Sequence, residues 1–202
     1  MYTPPYFSAP AKKTLLEILP DASFAILITP DADGGLYVSH LPLSYDPDKG
    51  DFGLVRGHLA RANPHTDLLA ARPSLVIFSG PHLYVSPRDY ASNINVPTWN
   101  YVAVHGRGQA ILLEDPADTR LVLDELTAEN EKDRENPWSL EGFDEKRAGA
   151  MMKAIVAFEI PLTSLEAKVK LGQNKKPEDR AALASAATGT PMEDWQKSIV
   201  PT

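Results

Sequence analysis

The chain has 202 residues, 43% of them apolar, and a formal net charge of −7 from 20 basic and 27 acidic side chains. That length suits one domain and a sizeable core, and no run of 18 apolar residues is long enough to span a membrane. The absence of Cys excludes disulfides, thiolate nucleophiles and Cys-type zinc sites, and the N-terminal stretch lacks the apolar run of a signal peptide, so a cytoplasmic location is expected.

In chain order, Lys12 to Leu19 reads as a short amphipathic helix. "SFAILIT" (23–29) and "LYVSHLPL" (36–43) read as strands joined by the Asp/Gly turn "PDADGG", with Pro42 marking a strand end or an edge. "DFGLVRGHLA" is a third strand. In "NPHTDLLAAR", Asn63 caps and Pro64 opens a helix. "SLVIFSG" (74–80) is apolar on both faces and continues into "HLYVSP". "NYVAVHGRGQAILL" (100–113) is a long strand bent at its glycines, 106 to 108.

Asp115-Pro116 opens a helix to about Arg134, and a second helix covers about Asp144 to Met152. Residues 114–147 hold 12 acids and 5 bases, so this stretch carries the whole net charge. "AIVAFEIPLTSLEAKVKL" reads as a strand pair broken at Pro161, "PEDRAALASAA" as a last helix opened by Pro177, and the segment after Gly189 as a loose tail. Hairpin-linked strands without alternating helices argue against a doubly wound parallel sheet. The expected fold is mainly β: a small antiparallel barrel with peripheral helices. One domain is expected over 1–188, with a helical insert at about 115–152 and a tail at 189–202.

The stretch "RGHLARANP" (56–64) sets two Arg and a His at a strand-to-helix junction. Arg56 and His58 share a strand face, and Arg61 precedes a helix start, where unpaired N–H groups attract anions. This is the pattern of a phosphate cradle. The plainer reading is that these cations are solvated or paired with carboxylates. Tyr84 and Ser86, Trp99 and Asn100, and Gln173 and Asn174 supply an aromatic wall with amide and hydroxyl partners, as a flat heteroaromatic ligand needs. Aromatic residues are, however, more often core than cofactor wall. The five His residues make no metal-ligand spacing, and no nucleophile elbow or Walker loop is present.

Taken together, "MYTPPYF", "HLPL", "GHLARANP", "VIFSGPHLYVSP", "VPTWNYVAVH" and "KLGQN" resemble the PaiB family, described as FMN-binding negative transcriptional regulators. The resemblance runs in order from Met1 to about Ala187. It implies an FMN-binding split β-barrel of Greek-key type related to pyridoxine-phosphate oxidase, working as a homodimer with FMN at the subunit interface. It places His58, Arg61 and Asn63 at the FMN phosphate. His40, Leu41 and Pro42 lie along the ring or ribityl chain, and Trp99, Asn100, Lys170, Gln173 and Asn174 reach the cofactor. The chain departs from the family pattern at His65-Thr66, where an aromatic is expected, and at "SPRDY", where a Trp is expected. Two functions follow: a flavin-binding regulator, or a flavin-dependent oxidoreductase acting on a small molecule. Haem is the alternative flat anionic ligand. One basic stretch, Lys168 to Lys176, is weak support for direct DNA contact.

Overall fold

A computed structural model of the chain describes residues 1–201. Nine strands and six helices follow in the order β1 (Ser8–Ala9), α1 (Ala11–Ala22), β2 (Phe24–Pro30), β3 (Leu36–Pro42), β4 (Ser44–Asp46), β5 (Leu54–Ala60), α2 (His65–Ala71), β6 (Pro73–Val85), β7 (Thr98–Gln109), β8 (Ile111–Leu113), α3 (Pro116–Glu131), α4 (Glu145–Met152), β9 (Ile155–Lys170), α5 (Pro177–Ala186) and α6 (Glu193–Lys197). The strand order is β3-β2-β6-β7-β9-β5-β4, with β1 and β8 also pairing with β9. Two compact units share these strands. One comprises Leu19–Phe78 and His105–Leu165; the other comprises Met1–Ile18, Ser79–Val104 and the chain from Glu166 onward. No helix among the described residues is long and apolar enough to cross a membrane.

The first unit begins with the hairpin of β2 and β3. Asp31 Oδ1 accepts from the backbone N–H of Asp33 at 2.9 Å and of Gly35 at 2.7 Å, and Gly34 supplies the positive φ of +86° that the turn needs. β2 buries Ala25, Leu27 and Thr29 on one face, following its period-2 pattern. β6 alternates in the same way, so "SLVIFSG" buries one face rather than two. β3 stands at the end of the strand order and finishes on Pro42, as a proline at an edge predicts.

β9 is one continuous strand, where a break at Pro161 is expected from the sequence. Pro161 pairs with Leu54, the first residue of β5, so its missing N–H falls at the end of that ladder. Gly106 and Gly108 mark close approach rather than a bend: a Cβ on Gly108 would lie 2.4 Å from the Pro161 carbonyl oxygen. The break comes afterwards, between β7 and β8.

The helical insert starts as its caps dictate. Asp115 accepts from Ala117 N at 2.8 Å and Asp144 from Arg147 N at 2.7 Å. α3 buries Val122 and Leu126 against Ala157 of β9. Asn63 Oδ1 accepts from His65 N at 3.0 Å, so Asn63 does cap the turn that opens α2. At the other end of α2, Gln109 Nε2 donates to the carbonyls of Leu69 and Ala70 at 2.8 and 3.1 Å.

In the second unit, α5 packs Leu183 against Val85 and Tyr90. Asp179 accepts from Ser92 N at 2.8 Å and from Ser92 Oγ at 2.9 Å. The segment after Gly189 is not loose: it forms α6 and buries Met192 and Gln196. Gln196 Nε2 donates to the Leu171 carbonyl at 2.9 Å, and Asn100 Nδ2 donates to the same oxygen at 3.2 Å.

Two glycines should respond oppositely to alanine. Gly108→Ala, with no room for its methyl group, should lower stability by about 1–3 kcal/mol. Gly149→Ala, in α4 with nothing within 4 Å of the added carbon, should raise it by about 0.5–1 kcal/mol. Urea denaturation of both variants checks this; equal shifts would show that the close approach at Gly108 is relieved cheaply.

Candidate functional site

The sequence-predicted residues divide between the two units. His40, Leu41, Pro42, His58, Arg61 and Asn63 belong to the first; Tyr84, Ser86, Trp99, Asn100, Lys170, Gln173 and Asn174 belong to the second.

In the first unit, Arg61 is exposed just beyond β5. Its Nε donates to the Lys153 carbonyl at 2.9 Å and its Nη2 to the Ile155 carbonyl at 2.8 Å. These bonds fix the plane of the guanidinium and leave Nη1 uncommitted by them. Arg61 lines a cavity of about 450 Å3 together with Thr66, Asp67, Leu112, Leu113, Glu114 and Val156. The Thr66 hydroxyl is buried without a hydrogen-bond partner, a costly state for a polar group. Arg56 and His58 do not join this cavity. Arg56 is tied to Glu125 at 3.1 Å, to Glu159 at 3.6 Å and to Asp46 at 3.9 Å, so the carboxylate-paired reading holds for it. His58 lines a different, apolar cavity beside the helical insert. His40 is exposed and stacks on Phe24 with ring centroids 6.4 Å apart, while Leu41 is a core side chain and Pro42 is half-buried.

His65, where the family pattern expects an aromatic, is fully buried. Its Nδ1 lies 2.8 Å from Ser39 Oγ and its Nε2 lies 2.8 Å from Thr29 Oγ1, which in turn lies 2.7 Å from Ser74 Oγ. The Tyr37 ring packs at 4.9 Å. Both ring nitrogens are satisfied by hydroxyls, and burial holds the imidazole below its ordinary pKa, hence neutral.

In the second unit, three predicted residues serve the backbone. The buried Asn100 also donates to Gln196 Oε1 at 3.2 Å. Gln173 accepts from Leu171 N at 2.9 Å and donates to the Val169 carbonyl at 2.6 Å. Ser86 and Asp89 close a capping box on a single helical turn. The polar groups of Asn100, Gln173 and Ser86 are thus engaged within the chain, by burial or by turn formation. Asn174 is exposed.

Trp99 and Tyr84 are about half exposed, with centroids 5.8 Å apart, and His82 lies 6.0 Å from Trp99. Lys170 donates to Thr98 Oγ1 and, at 2.8 Å, to the Trp99 carbonyl. Lys168 lies 5.4 Å from the Tyr101 ring centroid and 5.8 Å from that of Tyr2. Burial, and then the like charges of Lys168 and Lys175, lower the Lys170 pKa, so a negative group placed here would relieve the repulsion. Sequence reading missed His82, Tyr101, Lys168 and Thr66. The first three were findable, because each stands two residues from a predicted one on an alternating strand. Thr66 carried no signal beyond its departure from the family pattern.

The sequence model of the family described as "Putative FMN-binding domain" matches residues 1–164. The chain is 36% identical over 181 residues to the Protease synthase and sporulation protein PAI 2 of Bacillus subtilis, covering 89% of this chain and 85% of that protein. Among solved structures, a putative 5-nitroimidazole antibiotic resistance protein from Bacteroides thetaiotaomicron aligns with TM-score 0.61 and 16% identity over 80% of this chain and 86% of that one. The FAD and haem binding protein from Mycobacterium smegmatis aligns with TM-score 0.57 and 19% identity over 86% and 78%. The fold is therefore that of the flavin-binding split-barrel proteins, mainly antiparallel β with a few helices. Within that class, this chain belongs to the PaiB-type FMN-binding family. Arg61, Asn63, Trp99 and Asn100 lie inside the matched segment, and Lys170, Gln173 and Asn174 lie beyond it.

The pKa of His58, like that of His65, is lowered by burial. A depressed folded-state pKa means the unfolded chain binds the proton more readily. The stabilisation is complete above the unfolded value of about 6.5 and is lost as pH falls through the folded values. The urea midpoint of the protein should therefore drop on going from pH 7 to pH 5, and less steeply in His65→Gln. An unchanged slope in that variant would place the proton uptake elsewhere.

Proposed function

We propose that the protein binds FMN and holds its phosphate at Arg61, Asn63 and Thr66. The observation that carries this reading is the unpartnered Thr66 hydroxyl lining the same cavity as Arg61. A phosphate oxygen would accept from both, and charge-assisted bonds to a guanidinium are the strong ones. The family match over residues 1–164 supports FMN as the phosphate carrier. Asp67 and Glu114 also line the cavity, so the phosphate would be held by directed donors more than by a positive field. The flavin itself supplies redox chemistry. What this chain would contribute to that chemistry is binding and orientation through Arg61 and Thr66.

We further propose a homodimer, with FMN at its interface, in which the strip of His82, Tyr84, Trp99 and Lys170 meets the second copy. Half-exposed Trp and Tyr beside a partly desolvated Lys have the composition of an interface centre. A regulatory role, by way of the PAI 2 relative, is consistent with flavin binding. Direct DNA reading has less support, because Lys168, Lys170 and Lys175 are engaged with Tyr rings, backbone carbonyls, Thr98 and Asn95.

Flavin titration tests the phosphate site. The protein should quench FMN fluorescence on binding, and Arg61→Ala should weaken FMN by roughly tenfold or more while changing riboflavin little. Equal losses for the two flavins would remove Arg61 from the phosphate. Light scattering tests the assembly: the protein should run at twice the chain mass, and Trp99→Glu should shift it towards the monomer. A dimer indifferent to that change would put the interface on another surface.

A further inference from the structure

His58 lies away from the cavity that Arg61 lines. It lines a cavity of about 390 Å3 whose other walls are Leu123 and Thr127 of α3, Trp138, Leu140 and Phe143 of the connecting segment, Ala148, Met151 and Met152 of α4, and Ile155. This volume lies within the range of small-molecule sites. The walls are almost wholly apolar, and two of them are aromatic: Trp138 and Phe143 pack edge to face with centroids 6.1 Å apart. Two methionines add adaptable, polarizable surface, of the kind that moulds to flat molecules. Trp138 and Met151 are half exposed or more and form the mouth.

Besides the Thr127 hydroxyl, the imidazole of His58 interrupts the apolar lining. His58 Nδ1 is buried and has no hydrogen-bond partner. Burial lowers the pKa of this imidazole and so keeps it neutral. A neutral ring nitrogen can accept from or donate to a hydroxyl, whichever tautomer is present. No carboxylate or cation lines the cavity, so a charged ligand such as a phosphate would enter without a counter-charge, at high cost.

We propose that the helical insert builds a second small-molecule site, distinct from the flavin phosphate site, which takes a flat apolar molecule bearing one hydroxyl and anchors that hydroxyl on His58 Nδ1. A phenol is the simplest molecule of that class. The site requires α3 and α4, so it belongs to the insert and not to the strands alone.

The probe is 2-naphthol, titrated into the FMN-loaded protein and followed by calorimetry and by tryptophan emission, with naphthalene and 2-methoxynaphthalene as comparators. One saturable site is expected, with 2-naphthol bound roughly fivefold to tenfold more tightly than either comparator, the span of one hydrogen bond. His58→Phe should erase that preference while leaving naphthalene bound. Ala148→Phe should fill the cavity and abolish binding of all three. The preference in the unaltered protein stands as a test even if a variant does not fold. Four results would overturn the proposal: no saturable binding, no preference for the hydroxyl, displacement of FMN by 2-naphthol, or a change in oligomeric mass on adding it. The last two would give the cavity to the flavin or to a second copy. Repeating the titration without flavin keeps the outcome separate from the FMN reading, since failure to bind FMN would leave the 2-naphthol isotherm untouched.

Discussion

The hydrogen-bond ladder of β9 is the constraint on which the other elements depend. Sixteen residues run without interruption from Ile155 to Lys170 and pair with β1, β5, β7 and β8. A strand shared by so many neighbours cannot slip by one residue without turning its buried side chains outward. Val156, Phe158, Ile160 and Leu162 are buried at alternate positions in the first unit, and Ala167 and Val169 in the second. The buried phase shifts between Leu162 and Leu165, and it is the later phase, with Leu165, Ala167 and Val169 buried, that leaves Lys168 and Lys170 on the other face. The position of the cationic face is thus a by-product of the register that buries the core.

Polar side chains on this scaffold are satisfied locally before they are available to a ligand. Arg56 shows the rule: placed on the strand face beside α3, it draws three carboxylates from three elements, since a half-buried guanidinium without counter-charge is costly. Asn100, Gln173 and Ser86 show it for amides and hydroxyls. Four buried polar atoms among the described residues depart from that rule, Thr3 Oγ1, His58 Nδ1, Thr66 Oγ1 and Arg180 Nε, and of these the Thr66 and His58 side chains line the two cavities described above. They lie in different cavities of different chemistry, one containing a guanidinium and carboxylates and the other nearly apolar. An unpaired buried group that also borders a cavity is one that a ligand could satisfy.

Much of the architecture was legible in residue order. Asp115-Pro116 and Asp144 named the starts of α3 and α4, "PDADGG" named the first hairpin, and the prolines at 42 and 177 named an edge and a helix start. Pro161 misled because a proline breaks a ladder only where its N–H is needed, and need depends on where a neighbouring strand begins. The last segment misled because "MEDWQK" looks polar in isolation, although Met192 and Gln196 alone turn inward. At the site, the family motifs singled out Arg61, which lines a cavity, and Trp99, which is half exposed. They could not distinguish an amide aimed at a ligand from one aimed at a carbonyl, which is a matter of tertiary neighbours. His65 was legible only as a departure; its two hydroxyl partners, Ser39 and Thr29, come from separate strands.

The paired amides on the Leu171 carbonyl act as a latch on α6. Asn100 and Gln196 both present N–H groups to that oxygen from elements far apart in sequence. Deamidation of either would replace a donor with a carboxylate oxygen, and two acceptors would then face each other in a buried spot. A carboxylate at either position would therefore unlatch α6 while leaving the strand ladders paired.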